Sequence, residues 1–293
     1  MTSPIPSPGL IDRISHLRLT SQQIAEGVYS GLHRSPRQGR SVEFAEHRPY
    51  SIGDEIRRID WRVVARTDRV VVKRYEEETS LTIQLVLDAS RSMAFSSGAE
   101  SKFAYGQRLI AALAYLGIHQ QDAVGLTLFS ETVSDYCRPS RQFQQLDTII
   151  ERLLSLEPQG ATDFERLEQL FQLNRSPRSL LILISDLLLE INRLEPVLRT
   201  LAQRHSDLLV LQLFDPAERL FPYSGIIRFR SMEDSRSIVM SADGLRSGYL
   251  ERINQHLQAI GDVCGKVGIS YQWVDSSMPP EVSLTRLLGG RIG

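Results

Sequence analysis

The run Leu81-Thr82-Ile83-Gln84-Leu85-Val86-Leu87-Asp88-Ala89-Ser90-Arg91-Ser92-Met93 decides how this chain is read. Its first seven residues are mostly aliphatic or β-branched and too few for a helix, so they predict a buried strand that ends at Asp88. Similar apolar runs recur at Ala123–Phe129, Leu180–Ile184, Leu208–Phe214 and Ile269–Val274. Between them lie stretches with helical spacing: Lys102–Ile118, Gln142–Leu154, a segment marked by Phe164, Leu167, Leu170 and Phe171, then Leu194–His205 and Tyr249–Val267. Thr132–Tyr136 reads as a short strand one hairpin step beyond Phe129. Ile226–Phe229 and Ser237–Met240 are short strand-like pieces. Continuous apolar strands alternating with helices predict an α/β fold, a mainly parallel sheet with helices on both faces.

Outward from this core, the chain has three textures. Residues 1–30 form a Pro/Ser leader followed by a possible helix carrying Leu10, Ile14, Leu17 and Ile24. Residues 31–80 are charged: from Gly31 to Tyr75 there are eleven Lys or Arg against six Asp or Glu, a local excess of five positive charges. Val70-Val71-Val72 before Tyr75 reads as a strand and Ser51-Ile52-Gly53-Asp54 as a turn, so this region is expected to be β-rich. Residues 81–293 hold the α/β domain with a C-terminal extension.

The totals exclude several classes. Over 293 residues, 34 Lys and Arg against 35 Asp and Glu leave a net charge of −1, and 42% of residues are hydrophobic. That is too apolar for a disordered chain and too neutral for a protein that works through bulk charge. Two cysteines, Cys137 and Cys264, cannot form a disulfide framework. No apolar run approaches the roughly 20 residues of a membrane span, and the leader lacks the basic start of a signal peptide. A soluble, cytoplasmic protein with reduced cysteines is expected.

The chemistry concentrates at strand ends, where open α/β sheets bind ligands. Asp88, Asp186 and Asp215 each follow a strand. Asp88-x-Ser90-x-Ser92 puts one carboxylate and two hydroxyls in a tight loop, a hard-oxygen set suited to Mg²⁺ rather than to zinc. Thr162, after Gly160, offers another hydroxyl, and Asp186 can reach the same point if its strand neighbours that of Asp88. Each residue also has a plainer reading. Thr162 and Glu165 have capping-box spacing, Ser90 and Ser92 suit a loop, and Asp215 before Pro216 suits a turn. Arg48, Arg57, Arg58, Asp60, Trp61, Arg62 and Arg66 form either a buried network or a partner-docking surface. The acids interleaved among these bases, and the lack of a binding motif, argue against nucleic acid. No P-loop, Gly-x-Gly-x-x-Gly, His-Glu-x-x-His or Gly-x-Ser-x-Gly motif is present, so no catalytic residue is assigned. The enzymatic alternative is Mg²⁺-dependent phosphoryl transfer through Asp88. The Asp-x-Asp of haloacid-dehalogenase-type phosphatases is missing, because position 90 is Ser.

The order Asp88-x-Ser90-x-Ser92, Thr162, Asp186 resembles the metal-ion-dependent adhesion site of von Willebrand factor A-like domains. The preceding Gly39-Arg40-Ser41-Val42-Glu43-Phe44-Ala45-Glu46-His47-Arg48-Pro49-Tyr50 and Gly53-Asp54-Glu55-Ile56-Arg57-Arg58-Ile59-Asp60-Trp61-Arg62 resemble the bacterial domain of unknown function 58 (DUF58) family, as do Asp122–Leu126, Leu183–Asp186 and Phe214–Glu218. The likeness spans about residues 30–250. It implies a von Willebrand factor A-like fold behind a small β-rich region and no established catalysis. It further implies Mg²⁺ (or Mn²⁺ or Ca²⁺) at Asp88, Ser90, Ser92, Thr162 and Asp186, the last acting directly or through water. The implied partner is a MoxR-type AAA+ ATPase, or another protein offering an acidic residue. Arg91 stands where such sites often carry a small residue. Many members carry membrane helices ahead of this region, and their lack here agrees with a soluble form.

Overall fold

The computed structural model describes residues 8–33, 47–49, 63–64, 66, 70–73, 81–131, 134–172, 179–232 and 236–289. Contacts divide the chain into two units, Ser35–Ser80 and the combination of Met1–Arg34 with Leu81–Gly293. In the smaller unit β1 (His47–Pro49) pairs antiparallel with β2 (Val71–Lys73).

The larger unit is organised by the strands β3 (Thr82–Asp88), β4 (Ala123–Phe129), β5 (Ser134–Ser140), β6 (Ser179–Ser185), β7 (Asp207–Phe214) and β10 (Ser270–Asp275). They form one sheet in the order β10-β7-β6-β3-β4-β5, parallel throughout except for the edge strand β5. A separate hairpin pairs β8 (Ile226–Arg230) with β9 (Ser237–Ser241). The helices are α1 (Pro8–His33), α2 (Lys102–His119), α3 (Gln144–Ser155), α4 (Phe164–Gln172), α5 (Ile191–Arg204), α6 (Pro216–Leu220), α7 (Ala242–Val267) and α8 (Pro280–Gly289).

Successive side chains of a strand point to opposite faces, and this two-residue period splits the core into two layers. Leu85 and Leu87 of β3, Ile182 and Ile184 of β6 and Leu211 and Leu213 of β7 pack toward α1, α2, α3 and α8. Val86, Leu181, Leu183 and Val210 pack the other way, toward α4, α5 and α7. This is the expected α/β architecture with helices on both faces. The helix marked by Leu17 and Ile24 packs on α2, α3 and α8 and so closes one face of the sheet. The reading of the sequence did not include α8, although Pro280 at its start is a good first-turn residue. It also started α7 seven residues late, at Tyr249 rather than Ala242, because Gly244 and Gly248 dilute the helical pattern there.

Cys137 and Cys264 are buried and unpaired, and burial pushes the Cys264 thiol up to about 12, which keeps it protonated. Among the described residues no helix is long and apolar enough to cross a membrane.

Two details of the core have measurable consequences. The β4–β5 register shifts between Val124 and Leu126, and Gly125 sits at the shift. A Cβ there would lie 2.5 Å from Gln84 Oε1, 2.8 Å from the Cys137 carbonyl oxygen and 2.9 Å from Pro139 N. Two of these contacts are backbone and cannot swing away. Gly125→Ala is therefore expected to destabilise the protein by about 1–3 kcal/mol, read as a lower urea midpoint. His205, just past α5, meets Ser179 Oγ through Nδ1 at 2.8 Å, while its buried Nε2 has no hydrogen-bond partner among the described residues. Burial first, and Arg204 second, lower its pKa from 6.5 to about 4. The depressed pKa means that neutral His205 contributes stability at neutral pH that is lost as pH falls through about 4. Between pH 7 and pH 4 the wild type should lose more stability than His205→Gln, as judged by paired urea titrations.

Candidate functional site

The chain order reverses at β3, which has β4 on one side and β6 on the other. Ligands in open α/β sheets bind at such a switch point, beyond the carboxyl ends of the strands. Here β3 ends in the fully buried Asp88. Its Oδ1 accepts the Ser90 backbone N–H at 2.9 Å, and its Oδ2 accepts the hydroxyls of Ser185 at 2.6 Å and Thr162 at 3.3 Å. Ser90 Oγ lies 3.1 Å from Ser92 Oγ. The loop carrying them turns into a short 3₁₀ helix, Arg91–Ala94, and is anchored by the buried Met93.

The Thr162 loop is tied to this one through the backbone. Arg91 N donates to the Gly160 carbonyl at 2.9 Å and Gln159 N to the Ala89 carbonyl at 2.9 Å. Gly160 has φ 72°, a conformation glycine adopts without steric cost. On the far side Glu131 N donates to the Ala161 carbonyl at 2.7 Å. The capping-box reading of Thr162 is corrected here. Asp163 caps α4, its Oδ1 accepting Arg166 N at 3.0 Å, and the Thr162 hydroxyl turns to Asp88 instead. A carboxylate so placed is the better acceptor for a helix N-terminus, which leaves the threonine available.

Asp186 follows β6 and is buried, and its carboxylate is turned to a cation rather than to the hydroxyl cluster. Its Oδ2 accepts Lys102 Nζ at 2.9 Å, and the same ammonium donates to Glu218 Oε1 at 2.7 Å. Lys102 opens α2 and is fully buried. Burial works to lower its pKa, but the carboxylates of Asp186 and Glu218 outweigh it and raise the value, so the lysine is held charged. Gln212 of β7 fixes the Asp186 backbone by donating to its carbonyl at 2.7 Å, and Tyr271 orients Gln212 at 2.6 Å. Asp215, expected in a turn, is instead a helix cap, because Pro216 after it starts α6 at its first position. It caps α6 in a capping box with Glu218, and it also accepts Ser97 N at 2.8 Å and the Ser97 hydroxyl.

The DUF58 family model, described as a protein of unknown function, matches residues 46–259. The chain belongs to the DUF58 family. Two relatives, the uncharacterized proteins Rv1480 of Mycobacterium tuberculosis and Mb1516 of Mycobacterium bovis, are each 29% identical over 233 residues, 78% of this chain and 73% of theirs. Among solved structures it is similar to the BatB protein of Bacteroides thetaiotaomicron (TM-score 0.49, 18% identity, 72% of this chain and 98% of that one). An aerotolerance-related membrane protein of Bacteroides fragilis follows (TM-score 0.48, 16% identity, 73% and 98%). The six-stranded α/β sheet of this DUF58 chain has the architecture that its von Willebrand factor A-like resemblance implies.

Of the residues singled out from the sequence, Asp88, Ser90, Ser92 and Thr162 converge, and Asp186 stands beside them with its carboxylate turned toward Lys102. In the charged region Arg57, Arg58, Asp60, Trp61 and Arg62 lie outside the described residues, Arg48 is in β1, and Arg66 is exposed. Lys102, Ser185 and Glu218 were not singled out. Ser185 was legible as a hydroxyl at a buried strand end, and Lys102 as a charge opening an otherwise apolar helix. The donors facing the Asp88 loop are all oxygen, a set that fits a hard divalent cation. Burial first, then repulsion from Asp186, push the Asp88 carboxyl up from 3.8 to about 7 against its hydrogen bonds from Ser185 and Ser90. A raised carboxyl pKa stabilises the fold below its ordinary value, and that contribution disappears as pH rises through about 7. In EDTA-containing buffer the wild type should lose stability from pH 5 to pH 8 relative to Asp88→Asn, checked by urea midpoints across that range.

Proposed function

We propose that this chain is a non-catalytic, metal-dependent protein-interaction module. In this reading Mg²⁺, or Mn²⁺ or Ca²⁺ in its place, is held by Asp88, Ser90, Ser92 and Thr162, with Asp186 close behind. The observation that carries it is the convergence of one buried carboxylate and three hydroxyls at the sheet's switch point, with Thr162 released from capping duty by Asp163. Bound there, a divalent ion would supply Lewis acidity toward an incoming carboxylate. Hydroxyls are neutral donors, so they leave that charge largely uncompensated. The chain's own residues do the rest. Ser185 and the Ser90 N–H hold Asp88 in one orientation, Met93 pins the serine loop, and the Gly160 turn brings Thr162 into register.

The partner we propose is a MoxR-type AAA+ ATPase that presents a Glu or Asp, with the DUF58 chain as its adaptor or co-chaperone. This part rests on family resemblance together with the electrophilic character of the site. The phosphoryl-transfer alternative is weaker on geometry, because both Asp88 oxygens already accept hydrogen bonds from Ser90, Thr162 and Ser185, leaving a poor nucleophile.

The test is capture of the purified ATPase by the full chain in Mg²⁺ and in EDTA. Capture should fall at least tenfold in EDTA and in the double variant Asp88→Ala with Ser90→Ala. Capture that ignores both changes would sink the metal-dependent mechanism. Release of phosphate from p-nitrophenyl phosphate that Asp88→Asn removes would favour the enzyme instead.

A further inference from the structure

We infer that Lys102 is a positioning residue that sets the charge of the cation pocket and engages Asp186 itself, so that an ion held by Asp88 and the hydroxyls stays open to an incoming carboxylate. The inference rests on the metal-binding reading above and concerns how that site is regulated. Its basis is the buried triad of Asp186, Lys102 and Glu218 at 2.9 and 2.7 Å. Both Lys102 and Asp186 are essentially inaccessible to solvent, so neither charge is screened by water.

Consider the formal charges gathered there. With the three carboxyls ionised, as cation binding requires, Asp88, Asp186 and Glu218 contribute three negative charges and Lys102 one positive, leaving minus two. A divalent cation balances this remainder, but the balance is shared unevenly in space. Asp186 gives its Oδ2 to the ammonium, and its Oδ1 lies 3.4 Å from the Leu188 N–H. Among the described residues Asp88 faces the hydroxyl cluster with neutral hydrogen-bond donors and no ion pair. A cation on that cluster therefore meets one unshared carboxylate and stays receptive to a second from outside. Glu218 matters because it divides the ammonium's attraction. With two carboxylates on one lysine, neither pairing is exclusive. Glu218 is held independently of Lys102 by its second oxygen, which accepts Asp215 N at 2.9 Å in the α6 capping box. The lysine is thus anchored to the helix after β7 as well as to the end of β6. It also opens α2, whose preceding loop is fixed to Asp215 through Ser97. This placement holds a buried positive charge fixed beside Asp186 from two sides.

Removing either Lys102 or Glu218 changes the pocket by one charge, in opposite senses. Lys102→Met frees Asp186 and makes the pocket more negative. Mn²⁺ affinity, read by isothermal titration on the full chain, should then tighten about tenfold for one unit charge at close range. Acetate binding to the Mn²⁺-loaded protein should weaken, read as less displacement of Mn²⁺-bound water by proton relaxation. Glu218→Gln keeps the side chain's shape and removes one negative charge, so Mn²⁺ affinity should fall about tenfold. A role confined to holding the fold together would weaken Mn²⁺ binding in both variants or leave it unchanged, and either result overturns the inference. If Lys102→Met does not fold, Glu218→Gln alone decides, and Mn²⁺ affinity that is unchanged or tighter overturns it. Wild-type Mn²⁺ binding that Asp88→Ala abolishes shows that the underlying reading stands whatever these variants do. Lack of such binding fells the reading and the inference together.

Discussion

A carboxylate at the end of a buried strand is costly unless something answers its charge, and much of the site's construction follows from that cost. Asp88 is answered by hydrogen bonds from Ser90, Thr162 and Ser185, drawn from three different segments. Asp186, one strand away, is answered by an ammonium. The two solutions differ in kind. Neutral donors bring Asp88 no compensating charge and set a rim of hydroxyl oxygens around it. The ammonium cancels much of Asp186 locally. Removing one member of a buried ion pair costs about 3–5 kcal/mol, because the survivor is left uncompensated. The pairing therefore constrains the arrangement of α2, β6 and α6 as firmly as apolar packing does.

The same constraint explains why the loops are so heavily cross-tied. Ligand loops on an α/β sheet have no interior of their own and must borrow rigidity from neighbours. Here the serine loop borrows it from Met93, from the Gly160 carbonyl and from the Ala89–Phe129 backbone bond. The helix cap at Asp163 and the box at Asp215 fix the remaining two loops. None of these ties is apolar except Met93, so the site's geometry depends on directional bonds, while the sheet below depends on burial.

Much of this was legible in the sequence. The two-residue alternation of β3, β6 and β7 and the helical spacing of α2 and α3 come directly from side-chain patterning, which burial on both faces of the sheet enforces. Asp88, Ser90, Ser92 and Thr162 were found because the strand-end position and the residue types are local features. Asp163 was missed as the α4 cap because two adjacent residues competed for one N-terminus and only the tertiary partner of Thr162 decides between them. Lys102, Asp186 and Glu218 meet across sequence separations of 84 and 116 residues. No local pattern announces a pair at such range, and the family-level motif covers Asp186 but not its partner. The helix α8 escaped notice because the reading ended with the last strand.

The helix α1 belongs with the sheet even though residues 35–80 separate it from β3. Val28 and Tyr29 of α1 line the same cavity of about 260 Å³ as Leu81 and Ile83, so the two chain ends that flank the smaller unit are anchored near each other. During synthesis α1 leaves the ribosome well before the surface it covers exists, because α2, α3 and α8 are all made later, α8 last of all. Its buried stripe of Leu17, Ile24 and Val28 has no cover until those helices are made. Made before every strand of the sheet it covers, α1 can find its place only after them.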